Sequence, residues 1–325
     1  LRSSSLRPPH STIRQPCAAA WRASSWVGGS PGASDGEPGI PRIVISEALA
    51  HTGPPEVDAV ELYNPNPTPA AVGGWFLTDA PSFPWKYRIP DSIEIPAFGT
   101  VCFTADQFNA SPDTPASFAL DSQGDQIYLF SADAGGQLTG FSHGFSFGAS
   151  FQNVSFGLVA NETGEEFFAP QKSITLGQPN AGPRIGPIVI SEVHYHPEDD
   201  GFEFIKLLNI TGSSVPLFDP AHPANSWRIQ GIDYTFPADV TLGPNALLIV
   251  AGADPIAFRT RYEVPLGIAV LGPFAGSLQN SGENLQLLAP DHPDGIETPR
   301  VAVEQLRYDD RSPWPTGADG GGLSL

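Results

Sequence analysis

The sequence predicts an all-β protein made of two antiparallel β-sandwiches in tandem, and three observations carry that reading. Glycine and proline are abundant, 34 and 35 of 325 residues. Proline cannot donate to a strand ladder and glycine supplies turns, so their spread argues for short strands joined by many turns. Apolar residues make up 40% of the chain, enough for real cores. Apolar and polar residues alternate with period two in the clearest segments, and one ordered set of segments is written twice.

Residues 1–40 are rich in Ser, Arg, Pro and Gly without apolar periodicity, and read as a disordered N-terminal segment or linker. Ile43-Val44-Ile45-Ser46-Glu47 then recurs as Ile188-Val189-Ile190-Ser191-Glu192. The same offset places Asp58 on Glu203, Leu62 on Leu207 and Asn64 on Asn209. Val60 and Leu62 alternate with Glu61 and Tyr63, the pattern of a half-buried antiparallel strand. Trp75-Phe76-Leu77 aligns with Trp227-Arg228-Ile229, and Val101 to Asp106 aligns with Ile249 to Asp254. Leu120 to Leu129 aligns with Leu278 to Leu287, where Ile127 and Leu129, like Leu285 and Leu287, alternate with polar neighbours. Insertions fall between the matched blocks, as loops vary while strands persist. The apolar run Ala246 to Val250 suits a strand buried on both faces. The one helical hint is Asp254 to Tyr262, with Asp254 placed to cap and Pro255 in the first turn. Ala181 to Pro187 is a short Pro/Gly linker, which sets the expected domains at 43–182 and 188–325.

The formal net charge is −19. Residues 1–34 hold four arginines and no acid, which leaves 12 basic and 35 acidic side chains elsewhere. So acidic a body repels phosphate backbones, and nucleic acid is not an expected partner. No run of 18 apolar residues occurs, so no membrane-spanning helix is expected. Cys17 and Cys102 lie in a tail and an apolar strand, which makes a disulfide between them a poor fit. The start at Leu1, the lack of Met and the abrupt stop at Leu325 read as an internal fragment of a longer protein.

The ordered set Ile-Val-Ile-Ser-Glu, then Asp58 to Asn64, Gly74-Trp75-Phe76-Leu77, an apolar strand ending in Ala-Asp, and Leu-x-x-x-Gly-Asp-x-Ile-x-Leu resembles the lamin tail domain. Both copies look like it, and Ser191 to Pro197 looks like the version common in large secreted bacterial proteins. Val303 to Tyr308 and Trp314 to Gly320 resemble that family's closing strand and tail. The resemblance implies two tandem immunoglobulin-like antiparallel β-sandwiches that serve as accessory modules. The second copy departs with Lys206 where the pattern has Glu and Ser226 where it has Gly. The first departs with the aromatic stretch Phe141 to Phe156.

Each candidate site has a structural role open to it beside the functional one. Trp75 and Trp227 recur at one strand start and are expected to be structural core. Glu47 and Glu192 recur without an acid or base partner, so a structural carboxylate near a strand end is expected. His194 and His196, spaced to share a strand face, with Asp199 and Asp200 beside them, form a possible metal site, calcium included; a solvated acidic loop is the plainer reading. Phe83, Trp85 and Tyr87 form a period-two aromatic row, either the core face of a strand or a ligand-binding platform for sugar rings. Gly144-Phe145-Ser146-Phe147-Gly148 copies the nucleophile-elbow string, but no helical pattern follows it. No enzyme, and no cofactor other than possible calcium, is expected.

The sequence therefore predicts a non-catalytic extracellular or cell-surface structural or interaction module that spaces, anchors or docks a larger protein. The alternative is a carbohydrate- or calcium-binding β-sandwich accessory module of a secreted enzyme. Expected partners are a protein, a cell-surface polysaccharide, or other domains of the same parent chain. A buried Trp removes about 150–250 Å² from water, roughly 4–6 kcal/mol gross, comparable to a domain's net stability. Trp227→Ala is expected to unfold the second domain, and unchanged thermal unfolding would reject the core assignment.

Overall fold

The computed structural model describes residues 39–112, 114–161, 164–199, 201–291 and 298–325. Nearly all of the predicted N-terminal segment, Cys17 included, and Asp200 lie outside the described residues. The first half contains β1 (Val44–Leu49), β2 (Ala59–Tyr63), β3 (Ala70–Ala71), β4 (Phe76–Thr78), β5 (Tyr87–Arg88), β6 (Glu94–Ile95), β7 (Thr100–Thr104), helix α1 (Ala105–Phe108), β8 (Gly124–Ala132), β9 (Leu138–Gly148), β10 (Phe156–Ala160) and β11 (Glu166–Pro170). A five-stranded sheet in the order β11-β10-β1-β2-β7 faces a four-stranded sheet in the order β5-β4-β8-β9. Ile45, Val60, Leu62 and Phe103 from the first meet Leu77, Ile127, Leu129 and Phe147 from the second in one core. This is the all-β sandwich that period-two alternation predicts, with β1 and β2 buried on their outer face as well.

The second half contains β12 (Ile188–His194), β13 (Phe204–Asn209), β14 (Val215–Pro216), β15 (Phe218–Asp219), β16 (His222–Ser226), β17 (Arg228–Gln230), β18 (Tyr234–Thr235), β19 (Thr241–Leu242), β20 (Leu247–Ala251), helix α2 (Pro255–Arg261), β21 (Ala269–Leu271), β22 (Glu283–Pro290) and β23 (Arg300–Tyr308). Its sheets run β12-β13-β20-β21 and β18-β17-β22-β23, around a separate core. Asp254 accepts from Ile256 N and Ala257 N, with Pro255 opening helix α2. Trp75 and Trp227 sit in the two cores at 5% and 6% exposure.

The pairing corrects one alignment. Leu62 pairs with Val101 and Leu207 with Leu248, so Val101 corresponds to Leu248 rather than to Ile249. A one-residue slip would turn Phe103, buried in the core, to the opposite face. Thr104 caps helix α1 whereas Asp254 caps helix α2, and this later helix start makes the Ala-Asp dipeptides look aligned.

Both first strands carry a β-bulge at one place, between Ile45 and Glu47 and between Ile190 and Glu192. In the first half the bulge resets the phase, so that Ile43, Ile45, Ala48 and Ala50 all reach the core. Each bulge has an amide held by a side chain from the opposite sheet. Ile45 N donates to His143 Nδ1 at 3.0 Å, and Ile190 N donates to Glu304 Oε2 at 3.1 Å. His143 and Glu304 occupy matching places, opposite Leu129 and Leu287.

A second shared device ends β2 and β13. Asn64 and Asn209 are fully buried. Asn64 Nδ2 donates to the carbonyls of Thr68, Ile95 and Pro96, and Asn209 Nδ2 to those of Ser213, Leu242 and Gly243. The amide oxygens accept from Asn66 N and Thr211 N. At the seam between the halves, Phe151 packs against the second core, with the Arg184 guanidinium 5.6 Å above its ring.

The two bulge partners respond to acid in opposite senses. Burial pushes the His143 imidazole down to about 4, with Arg42 adding and Glu166 opposing. The neutral ring fits the fold, so its contribution is full above about 6.5 and is lost as pH falls toward 4. Burial pushes Glu304 up to about 7, partly offset by the Ile190 N–H. Its contribution is full below about 4.5 and is lost as pH rises through 7. Glu304→Gln is therefore expected to stabilise the second half at pH 8, by on the order of 2 kcal/mol, and to change little at pH 4.5. His143→Gln should flatten the acid loss of the first half. Urea titrations at both pH values, followed by amide exchange in each half, check this; equal effects of Glu304→Gln at both pH values would reject it.

Candidate interaction site on the outer face of the first sheet

The bulge turns both Ser46 and Glu47 away from the core, onto the outer face, beside Glu61 on β2. Glu47 and Glu61 are opposite one another and are 0% and 1% exposed. Two buried carboxylates at such range require donors. Glu47 accepts from Ser155 Oγ at 2.5 Å, Thr175 N at 2.9 Å and Thr175 Oγ1 at 2.7 Å. Glu61 accepts from Ser46 Oγ at 2.6 Å and from Gly177 N. Asn180 Nδ2 adds bonds to the carbonyls of Ser46 and Leu158. The two acids thus fasten residues 175–180 across the sheet as a closing segment. In the second half Lys206 replaces Glu61 and forms an ion pair with Glu192, which also accepts from Ser324 Oγ at 2.5 Å. Both recurring glutamates are fastenings within the fold.

Between the closing segment and the turn before β7 lies a groove of about 500 Å³. Its apolar walls are Val44, Tyr63, Phe98, Leu158 and Pro179; Ser46, Glu61 and Asn180 supply polar groups. Phe98 stands out on backbone grounds. It holds φ at +54° and is 62% exposed. A bulky side chain in the left-handed region is an outlier, and such strain concentrates where it serves a purpose. The matching residue is Asn245, at φ +52°, because Phe98 N donates to Asn66 O as Asn245 N does to Thr211 O. Asparagine tolerates that conformation. The Cys102 thiol donates to Glu61 Oε2 at 3.5 Å and is pushed up to about 12 by burial and then by the Glu61 carboxylate. It is therefore not a nucleophile at neutral pH.

A second, open cleft of about 720 Å³ is lined by His51, Thr52, Asp58, Asp121 and Asp125 among others. Burial raises the carboxyls of Asp58 and Asp125; Thr52 and His51 oppose the shift at Asp58. Among the described residues no three His, Cys, Asp or Glu side chains come together as a metal cage.

The predicted site residues are not assembled into one site. Of the aromatic row, Phe83 and Trp85 are 43% and 47% exposed, which overturns the core-face alternative for them. Only Tyr87 lies on a strand, against Phe103. Phe83 and Trp85 precede it in a turn, where period two no longer sorts faces. Their rings meet edge to face at 6.3 Å, and Trp85 Nε1 donates to Gly136 O. His194 ends β12, is 5% exposed, and has Nδ1 3.2 Å from Phe202 O, among Phe204 and Tyr262. His196 lies beyond the strand and pairs with Asp319 Oδ1 at 2.6 Å. Asp199 is exposed, and Asp200 lies outside the described residues. Ser146 lies within β9 rather than at a strand-to-helix turn. Sequence reasoning missed Phe98, Glu61 and the closing segment. The signal for Phe98 was present in Phe98-Gly99 standing where Asn245-Ala246 stands.

The Lamin Tail Domain family model matches residues 37–144, which run from the approach to β1 into β9. Neither a curated protein nor a solved structure matches the chain. Residues 37–144 are thus similar to the lamin tail domain, a family of immunoglobulin-like interaction and structural units. No helix among the described residues is long and apolar enough to cross a membrane.

Phe98→Asn is expected to stabilise the first half by about 1 kcal/mol, since left-handed strain is relieved and little burial is lost. Equilibrium urea unfolding measures it, and a destabilised variant would show that the ring contributes packing instead.

Proposed function

We propose that the chain is a non-catalytic docking module of a larger extracellular or cell-surface protein, made of two copies of one sandwich. Its first half engages an extended peptide of a partner protein through the groove beside Phe98. The observation that carries this reading is the strained, exposed Phe98 over an apolar groove, where the second half keeps an asparagine. Three features support it. The conspicuous buried acids are consumed by the closing segment and are not placed to act on a substrate. The groove is apolar-walled and concave, as recognition sites are. The acidic balance of the chain favours a partner with basic flanks.

A second reading has its own observation. The exposed, edge-to-face pair Phe83 and Trp85 presents ring faces as a sugar platform does, and a cell-surface polysaccharide would fit it. Peptide and glycan arrays probed with the full chain, Phe98→Asn and Trp85→Ala separate the two. Groove binding predicts peptide hits that Phe98→Asn weakens at least tenfold while Trp85→Ala leaves them intact. Glycan hits lost only in Trp85→Ala would replace the first reading with the second.

A further inference from the structure

The two halves differ at one sheet edge. In the second half β20 is an inner strand: β21 lies beside it in parallel, with Leu248, Ile249 and Val250 opposite Ala269, Val270 and Leu271. In the first half the equivalent strand, β7, ends its sheet. Cys102 pairs with Glu61 as Ile249 pairs with Lys206, so Cys102 holds the position of Ile249.

The ladder phase fixes which backbone groups point outward. Asn64 N donates to Gly99 O and Ala105 N to Asp58 O, so β7 turns the odd-numbered Val101 and Phe103 toward β2. Thr100 and Cys102 then direct N–H and C=O to the free side. The second half has the same phase: Asn209 N donates to Ala246 O and Gly252 N to Glu203 O, while Ala251 O accepts from Phe274 N on the outer side. Among the described residues no backbone bond reaches Thr100 or Cys102 on that side, and Thr104 N is taken by Gln107 Oε1 at 2.9 Å. Thr100 also lines the groove beside Phe98. Edge and groove are therefore continuous.

We propose that β7 is an acceptor edge for an extended apolar peptide that adds as a parallel strand, in the place β21 takes in the second half. This deepens the groove reading above and rests on it. The occupant's chemistry follows from β21. An Ala-Val-Leu core places its valine opposite Cys102, its alanine C=O accepts from Cys102 N–H, and its leucine N–H donates to Cys102 C=O. In the second half Val270 packs on the outer cluster with Ile249, and Leu271 packs against the main core. An incoming strand would likewise use both faces, with one row of side chains running toward Phe98. Main-chain bonds supply affinity and alternate side chains supply selectivity.

The probe is a synthetic peptide copying residues 266–273, Leu-Gly-Ile-Ala-Val-Leu-Gly-Pro, flanked by lysines and titrated into the full chain. Hydrogen exchange should slow at Cys102 and fall off away from it. N-methylation at the leucine of Ala-Val-Leu should weaken binding at least tenfold, whereas N-methylation at the valine, whose N–H points away from β7, should leave it within twofold. Binding lost in Phe98→Asn but indifferent to both methyl groups would overturn the edge while the groove reading stands. No protection of Cys102 at millimolar peptide, or protection only along β12, would overturn the edge directly. Peptide binding indifferent to Phe98→Asn as well as to methylation would sink both.

Discussion

A buried amide at the end of the second strand of each half organises everything around it. Asn64 and Asn209 each spread one amide group over three carbonyls and return the oxygen to the turn ahead. Those carbonyls belong to two turns that are distant in sequence, so one side chain ties the loop after the strand to the turn before β7 or β20. The adjacent backbone bond, Asn64 N to Gly99 O or Asn209 N to Ala246 O, then sets the phase of that next strand. The short β3–β6 and β14–β19 pairs flank the same junction. A buried carbonyl left without a donor costs about 1–3 kcal/mol, so an apolar side chain here would forfeit several bonds at once. Asn209-Ile210-Thr211 has the form of a glycosylation sequon, yet the Asn209 nitrogen is committed to the interior.

With that junction fixed, the bulge in the first strand becomes intelligible. It places two consecutive residues on the outer face and leaves an amide pointed at the opposite sheet. What the fold requires there is an acceptor at about 3 Å, and an imidazole and a carboxylate serve equally. The outer face follows the same logic. Two glutamates hold the closing segment in the first half, and a glutamate–lysine ion pair with Ser324 holds it in the second. Chemical identity drifts between the halves while geometry is kept. Phe98 is the converse case, where the geometry is kept and the side chain works against it.

Much of this was legible in the sequence. The twofold block pattern located the strands, the two tryptophans and the capped helix α2, because period-two alternation and Asp-Pro at a helix start are local signals. The bulges were not legible, since they insert one residue without a compositional mark. The slip at Val101 shows the same limit from the other side: a shifted helix start imitates an aligned Ala-Asp. His194 and His196 were read together by spacing alone, yet β12 ends at His194 and the next residues follow a loop path. Residue spacing reports faces only within a strand. Nothing in Phe98-Gly99 announces a positive φ until Asn245 is seen to occupy the same turn.

The last two residues occupy an informative seat. Leu325 exchanges both backbone bonds with Val193, the partner position that Phe156 takes opposite Ala48, and Ser324 repeats the bond of Ser155. Residues 324 and 325 are thus woven into the sheet beside β12. Without them Val193 would lose two backbone partners and Glu192 the Ser324 hydroxyl, so the first strand of the second half leans on a segment 132 residues further along the chain.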